Sequence, residues 1–150
     1  MTYWRIYYHF VWGTKNREPV LLGVNAEMAM KAIRAEALEL RSIIHALAVQ
    51  PDHIHLAVST PPVHGPARIA KQIKGKSSHL LTRTWYPGGG VDWIGWQAEY
   101  GVITFGEKSL SSIVRYITNQ EEHHRSNNLW PTFENLGGAP EHPTNLEEVS

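Results

Sequence analysis

Residues 49 to 59 read Val-Gln-Pro-Asp-His-Ile-His-Leu-Ala-Val-Ser, and the folding of this stretch organises the rest of the chain. Pro51-Asp52 is a turn signal. The residues after it alternate with the period of two that marks a half-buried strand, placing Ile54, Leu56 and Val58 on one face. His53, His55, Ala57 and Ser59 share the other face. With a rise of about 3.3 Å per residue, imidazoles at i and i+2 stand roughly 6 to 7 Å apart, close enough to reach one divalent metal. A His-X-His also recurs by chance, and then describes only a strand with a polar face. The flanking sequence has to discriminate.

Upstream, Ile43 to Gln50 reads as a strand that Pro51-Asp52 turns into an antiparallel hairpin with residues 53 to 59. Before it, Asn25 to Arg41 has helical spacing, with Asn25 as N-cap and Met30, Ile33, Ala37 and Leu40 as the core stripe. Residues 3 to 12 are aromatic and β-branched, as suits a pleated strand. Ile6, Tyr8, Phe10 and Trp12 take its core face, leaving Arg5, Tyr7, His9 and Val11 opposite.

Downstream, after Pro61-Pro62 and Gly65-Pro66, a second helix is expected over 67 to 84, with Ile69, Ile73, Leu80 and Leu81 apolar. Residues 85 to 95 form a glycine-rich aromatic loop. It lacks the strand and Lys context of a nucleotide cradle, although its aromatics could stack on unpaired bases or simply pin the loop. Trp96 to Phe105 reads as the fourth strand. The order β-α-β-β-α-β predicts an α+β, ferredoxin-like antiparallel sheet with two helices on one face. The opposite face is left for a site.

A last helix is expected over Lys108 to Arg125, packing through Leu110, Ile113, Val114 and Ile117. At 100° per residue, Tyr116, Gln120 and His123 fall within about 60° of one another, on a stripe roughly 100° to the side. The chain thus reads as one domain over 1–125, with the last helix added at its end, and a tail over 126–150. That tail is Asn-, Pro- and Gly-rich, acidic and aperiodic, and 137 to 150 reads as extended or poorly ordered.

At 150 residues and 42% hydrophobic composition the chain has enough length for one real core. No run approaches the roughly 18 apolar residues of a membrane helix, and the aromatic-polar start is unlike a secretory signal, so a cytoplasmic protein with no membrane partner is expected. With no cysteine, any metal must take His, carboxylate or amide ligands. Net charge is zero, which argues against coating duplex DNA by electrostatics alone. All 14 Lys and Arg lie at or before Arg125 together with ten of the 14 acids, so residues 1 to 125 carry +4.

Two strand imidazoles plus an amide from a docked helix leave coordination positions open, as a Lewis-acid catalyst requires. Oxygen-rich completion by phosphate favours Mg²⁺ or Mn²⁺, while the histidines alone suit Zn²⁺ as well. Tyr116 could attack phosphorus, given activation of a hydroxyl whose ordinary pKa is near 10. It is otherwise an amphipathic packing residue. Lys15 and Arg17 in the loop after the first strand, and Arg68, Lys71, Lys74 and Lys76 on the second helix, are the candidate nucleic-acid contacts, against the alternative of solvated charge. His9 is undecided between DNA and a supporting contact. His45, His64 and His79 read as structural or solvated, and His123-His124 as a helix-end dipole interaction.

Gln-Pro-Asp-His-Ile-His-Leu at 50 to 56, Tyr-His-Phe-Val-Trp-Gly-Thr-Lys at 8 to 15, and Tyr-Ile-Thr-Asn-Gln-Glu-Glu-His-His at 116 to 124 together resemble the single-tyrosine, His-hydrophobe-His transposases of bacterial insertion sequences. The likeness runs over about residues 3 to 125. It implies that His53, His55 and Gln120 bind the divalent metal. It implies equally that Tyr116 cleaves single-stranded DNA at hairpin-bearing element ends through a 5′-phosphotyrosine link, with a 3′-hydroxyl released and later rejoined without ATP. A homodimer is implied too. Two other readings stay open: a hairpin DNA- or RNA-binding module that does not cleave, and a histidine-metal hydrolase with no covalent intermediate.

Overall fold

The computed structural model describes residues 2–83 and 93–120. In chain order these form β1 (Tyr7–Gly13), α1 (Val24–Glu39), β2 (Ile43–Val49), β3 (His53–Ser59), α2 (Pro66–Arg83), β4 (Gly101–Phe105) and α3 (Leu110–Thr118). Short 3-10 turns, Lys15–Arg17 and Glu107–Ser109, follow β1 and precede α3. The four strands pair in the order β2-β3-β1-β4, every neighbour antiparallel. This is the expected α+β, ferredoxin-like arrangement.

All seven residues of β3 are buried, because the strand is internal and both its faces are covered. On one face Phe10 and Trp12 of β1 and Ile54, Leu56 and Val58 of β3 pack against Ala29 and Ile33 of α1 and Ile69, Ile73 and Leu81 of α2. Each of these larger side chains contributes about 1.5–3 kcal/mol by leaving water. The other face carries a smaller cluster in which Ala46 and Ala57 receive Ile113, Tyr116 and Ile117 of α3, with Phe105 at its edge. Small residues at 46 and 57 let that helix approach closely.

Several boundaries differ from the periodicity. Pairing in β1 begins at Tyr7, since its partners end at Ser59 and Phe105. Asn25 lies inside α1 and is buried, its amide donating to Val20 O at 2.9 Å, while Gly23, at φ 53°, is the cap. Leu80 is exposed, on the solvent side of α2. The fourth strand is five residues long. Before it Trp96 makes an isolated bridge to Thr14, and residues 97 to 99 form a segment whose carbonyls bond to Lys74. The expected reach of the last helix to Arg125, His123, the loop tip at 84–92 and the tail at 126–150 lie outside the described residues.

Candidate active site

The two histidines of β3 point to the α3 side, with ring centroids 5.1 Å apart at 73°. Across the sheet Gly13 pairs with His53 and Val11 with His55, so β1 lends its own polar-side residues to the same surface. His9 stands opposite Ala57, one step along from His55, and its Nε2 lies 3.0 Å from His55 Nδ1. Both rings are fully buried.

His53 is held differently. Its Nδ1 lies 2.7 Å from Asp52 Oδ1, while Arg17 donates from Nε at 3.1 Å and Nη2 at 3.0 Å to Asp52 Oδ2. Burial pushes the Asp52 carboxyl up, but the hydrogen bond and charge of His53, followed by Arg17, outweigh it and hold the group below its ordinary value of 3.8. Two local features bring these groups together. Thr14 N–H donates to Asp52 O at 2.9 Å, tying the hairpin turn to the end of β1. Asn16 and Arg17 then adopt φ of 57° and 56°, a conformation that costs non-glycine residues energy and turns the chain back sharply. A Cβ at Gly13 would meet Gln97 Oε1 at 2.6 Å and Arg17 Cδ at 2.9 Å, so glycine there admits both side chains beside His53.

From α3, Tyr116 is only 2% exposed and its ring centroid lies 6.0 Å from that of His55. Gln120, 1% exposed, donates from Nε2 to Tyr116 O at 3.1 Å. The buried residues of this segment are Ile113, Tyr116, Ile117 and Gln120, which on a helical wheel span an arc of about 100°. Leu110 and Val114, expected in the packing stripe, are only partly covered. The helix is thus rolled so that Tyr116 and Gln120 lie on the docked face. The two separate stripes of the sequence reading are one.

The donor set fits a divalent ion. Both histidines are oriented through Nδ1, so Nε2 is the ligating atom of each, and a carboxylate behind a ligating histidine is a common support. With metal–nitrogen bonds of about 2.1 Å, each ring centroid lies about 3.2 Å from the ion. Ligand angles between octahedral and tetrahedral then separate the two centroids by about 4.6–5.3 Å, which includes the 5.1 Å observed. The amide of Gln120, with its nitrogen given to a carbonyl, offers Oε1. Among the described residues no three His, Asp or Glu side chains form a closed metal cage, so a metal here would have an incomplete set of protein ligands.

The family described as "Transposase IS200 like" matches residues 2–120, which contain every residue of this constellation. The chain belongs to the IS200-like transposase family. Its relatives include the ISDra2 transposase TnpA of Deinococcus radiodurans, 28% identical over 127 residues that cover 79% of this chain and 86% of the relative. A crystal structure of a candidate transposase from Deinococcus radiodurans R1 superposes with a TM-score of 0.58 at 30% identity, covering 80% of this chain and 95% of the other. The structure of a REP-associated tyrosine transposase bound to a REP hairpin shares the fold at a TM-score of 0.62, 18% identity and coverage of 95% and 96%.

In this IS200-like transposase the expected basic contacts separate into three groups. Arg17 is paired with Asp52 and so supports His53. Lys74 donates to the carbonyls of Gln97, Ala98 and Glu99 at 2.8, 3.3 and 3.2 Å, and lies 5.8 Å from the Tyr100 ring centroid. Burial lowers its pKa below the ordinary 10.5. The structure therefore gives Lys74 a bracing task in place of the solvent-facing role expected for it. Lys15, Arg68, Lys71 and Lys76 are exposed. The last three sit on α2, whose layer covers the sheet face opposite the histidines. Asp52, read from the sequence as a turn residue alone, is the support that reasoning missed. Its position immediately before a His-X-His was the available signal.

Proposed function

We propose that this protein cleaves and rejoins single-stranded DNA at hairpin-bearing element ends, in a reaction that depends on Mg²⁺ or Mn²⁺ and proceeds through a 5′-phosphotyrosine intermediate. The observation that carries the reading is the approach of Tyr116 to within 6.0 Å, centroid to centroid, of a histidine pair whose spacing suits one ion. His53 and His55 through Nε2 and Gln120 through Oε1 would hold the metal. When bound, it supplies Lewis-acid polarisation of the scissile phosphate.

Tyr116 Oη attacks phosphorus; the new P–O bond forms as the bond to the 3′-oxygen breaks, and the proton lost by the tyrosine is balanced by the one gained on the released 3′-hydroxyl. The phosphotyrosine ester conserves the energy of the broken linkage, so another 3′-hydroxyl can reverse the step without ATP. Lys15, Arg68, Lys71 and Lys76 supply positive charge for DNA phosphates. Hairpin ends as the substrate are supported by the relative solved with a REP hairpin. The protein acts as a homodimer in the cytoplasm; among the described residues no helix is long and apolar enough to cross a membrane.

The test incubates the protein and its Tyr116→Phe variant with labelled single-stranded DNA from the genomic flanks, with Mg²⁺ or Mn²⁺. A denaturation-resistant adduct is expected for the unsubstituted protein alone, and is lost with chelator. Hairpin binding by both proteins without an adduct would replace this reading with a binding module. Turnover with no adduct would indicate a metal hydrolase.

A further inference from the structure

We propose that His9 is a positioning residue for the histidine pair: its Nε2 accepts a hydrogen bond from His55 Nδ1, fixing the tautomer in which His55 Nε2 is the ligand. The inference rests on the metal-binding reading above and assigns to the site a residue outside its three ligands. A neutral imidazole carries one N–H and one lone pair. A ring that gives its Nε2 lone pair to a metal must keep its proton on Nδ1. The atom facing His55 Nδ1 is His9 Nε2, at 3.0 Å, so in the metal-bound protein His9 must be the acceptor.

The fold prepares this pairing. His9 and His55 come from adjacent antiparallel strands, and the residue directly opposite His9 is Ala57, whose methyl group leaves room for both rings. Their centroids lie 5.2 Å apart at 36°, and neither ring is exposed. The two ligands therefore have partners of different chemistry: an anionic carboxylate behind His53 and an imidazole behind His55. A carboxylate in place of His9 would bury a second negative charge; an imidazole supplies the acceptor without one.

A packing role and a positioning role predict opposite orders for two variants. His9→Phe keeps a flat ring and removes the acceptor. His9→Gln loses the ring and can place an amide oxygen near the Nε2 position. Mn²⁺ affinity is measured by calorimetry on the full chain for these, the unsubstituted protein and His55→Ala, and metal-free thermal midpoints report folding. The phenylalanine variant is expected to bind Mn²⁺ about 10- to 100-fold more weakly, as for loss of other supports behind ligands. The glutamine variant retains most of the affinity. Ring ¹⁵N spectra with diamagnetic Mg²⁺ are expected to show the His55 proton on Nδ1.

Affinity unchanged in His9→Phe, or equally weakened in both variants, overturns the positioning role while leaving the site itself intact. A His55 proton on Nε2 in the metal-bound protein overturns it too, and that readout serves if His9→Phe does not fold. Unchanged Mn²⁺ binding in His55→Ala removes the metal reading itself, and this proposal with it.

Discussion

Replacing Lys74 by Met separates a brace from a DNA contact. The substitution keeps most of the apolar stem and removes an ammonium that donates to three successive carbonyls, the bond to Gln97 O at 2.8 Å being the shortest and most sheltered. A hydrogen bond to a charged group contributes about 1.5–3 kcal/mol. The two longer bonds, to Ala98 O and Glu99 O, are exposed to water and add little, and the burial that depresses the Lys74 pKa offsets part of the gain. The expected loss is therefore about 2–3 kcal/mol. For a chain of 150 residues this is a fall in thermal midpoint of roughly 4–12 °C. Lys71→Ala and Lys76→Ala, at exposed positions, change stability by no more than about 0.5 kcal/mol. They are expected instead to reduce the salt dependence of single-stranded DNA binding by about 0.7 in log-log slope for each phosphate that is no longer neutralised. Thermal melts and a salt titration of hairpin binding decide the matter. An unchanged midpoint in Lys74→Met, with a loss of affinity like that of Lys71→Ala, would refute the bracing assignment.

Two further outcomes follow from the geometry. Asp52→Ala removes the acceptor behind His53 and is expected to weaken Mn²⁺ binding about 10- to 100-fold. Arg17→Ala removes a partner whose side chain is 46% exposed, so its effect is limited to that of about 1 kcal/mol, roughly fivefold; a calorimetric titration in which Arg17→Ala matched or exceeded Asp52→Ala would invert the support order. His45, with Nε2 3.0 Å from Ser59 Oγ, has its pKa lowered from 6.5 by burial, so the unfolded chain binds its proton more readily. The stability from neutral His45 is complete above pH 6.5 and is lost as pH falls through the lower folded-state value. Chemical denaturation across roughly pH 5 to 8 should show a shallower acid-side decline in His45→Gln, and identical slopes would refute the assignment.

The topology was legible because each element carried its own period. Ile54, Leu56 and Val58 against His53, His55 and Ala57 could only be a two-faced strand, and the structure buries the first set under α1 and α2 and turns the second toward α3. The boundaries were less legible. Asn25 has the chemistry of a cap but finds a carbonyl at Val20 across a turn. Trp96 to Tyr100 alternates like a strand but mostly lacks strand pairing, with only an isolated bridge from Trp96 to Thr14, and the carbonyls of 97 to 99 bond to Lys74.

By itself the sequence determined the element order, the pairing of His53 with His55 on one face, and the presence of Tyr116 and Gln120 one helical turn apart, since all of these are consequences of backbone period and local spacing. Only the tertiary structure decided which groups stand behind those residues. His9 is 46 positions from His55, and Arg17 is 35 from Asp52, and no local rule relates them. The register of β1 against β3 aligns the first pair, and two left-handed residues after β1 deliver the second. The roll of α3 is decided there as well, because the small side chains of Ala46 and Ala57 set which arc of the helix can dock, and that arc includes Tyr116.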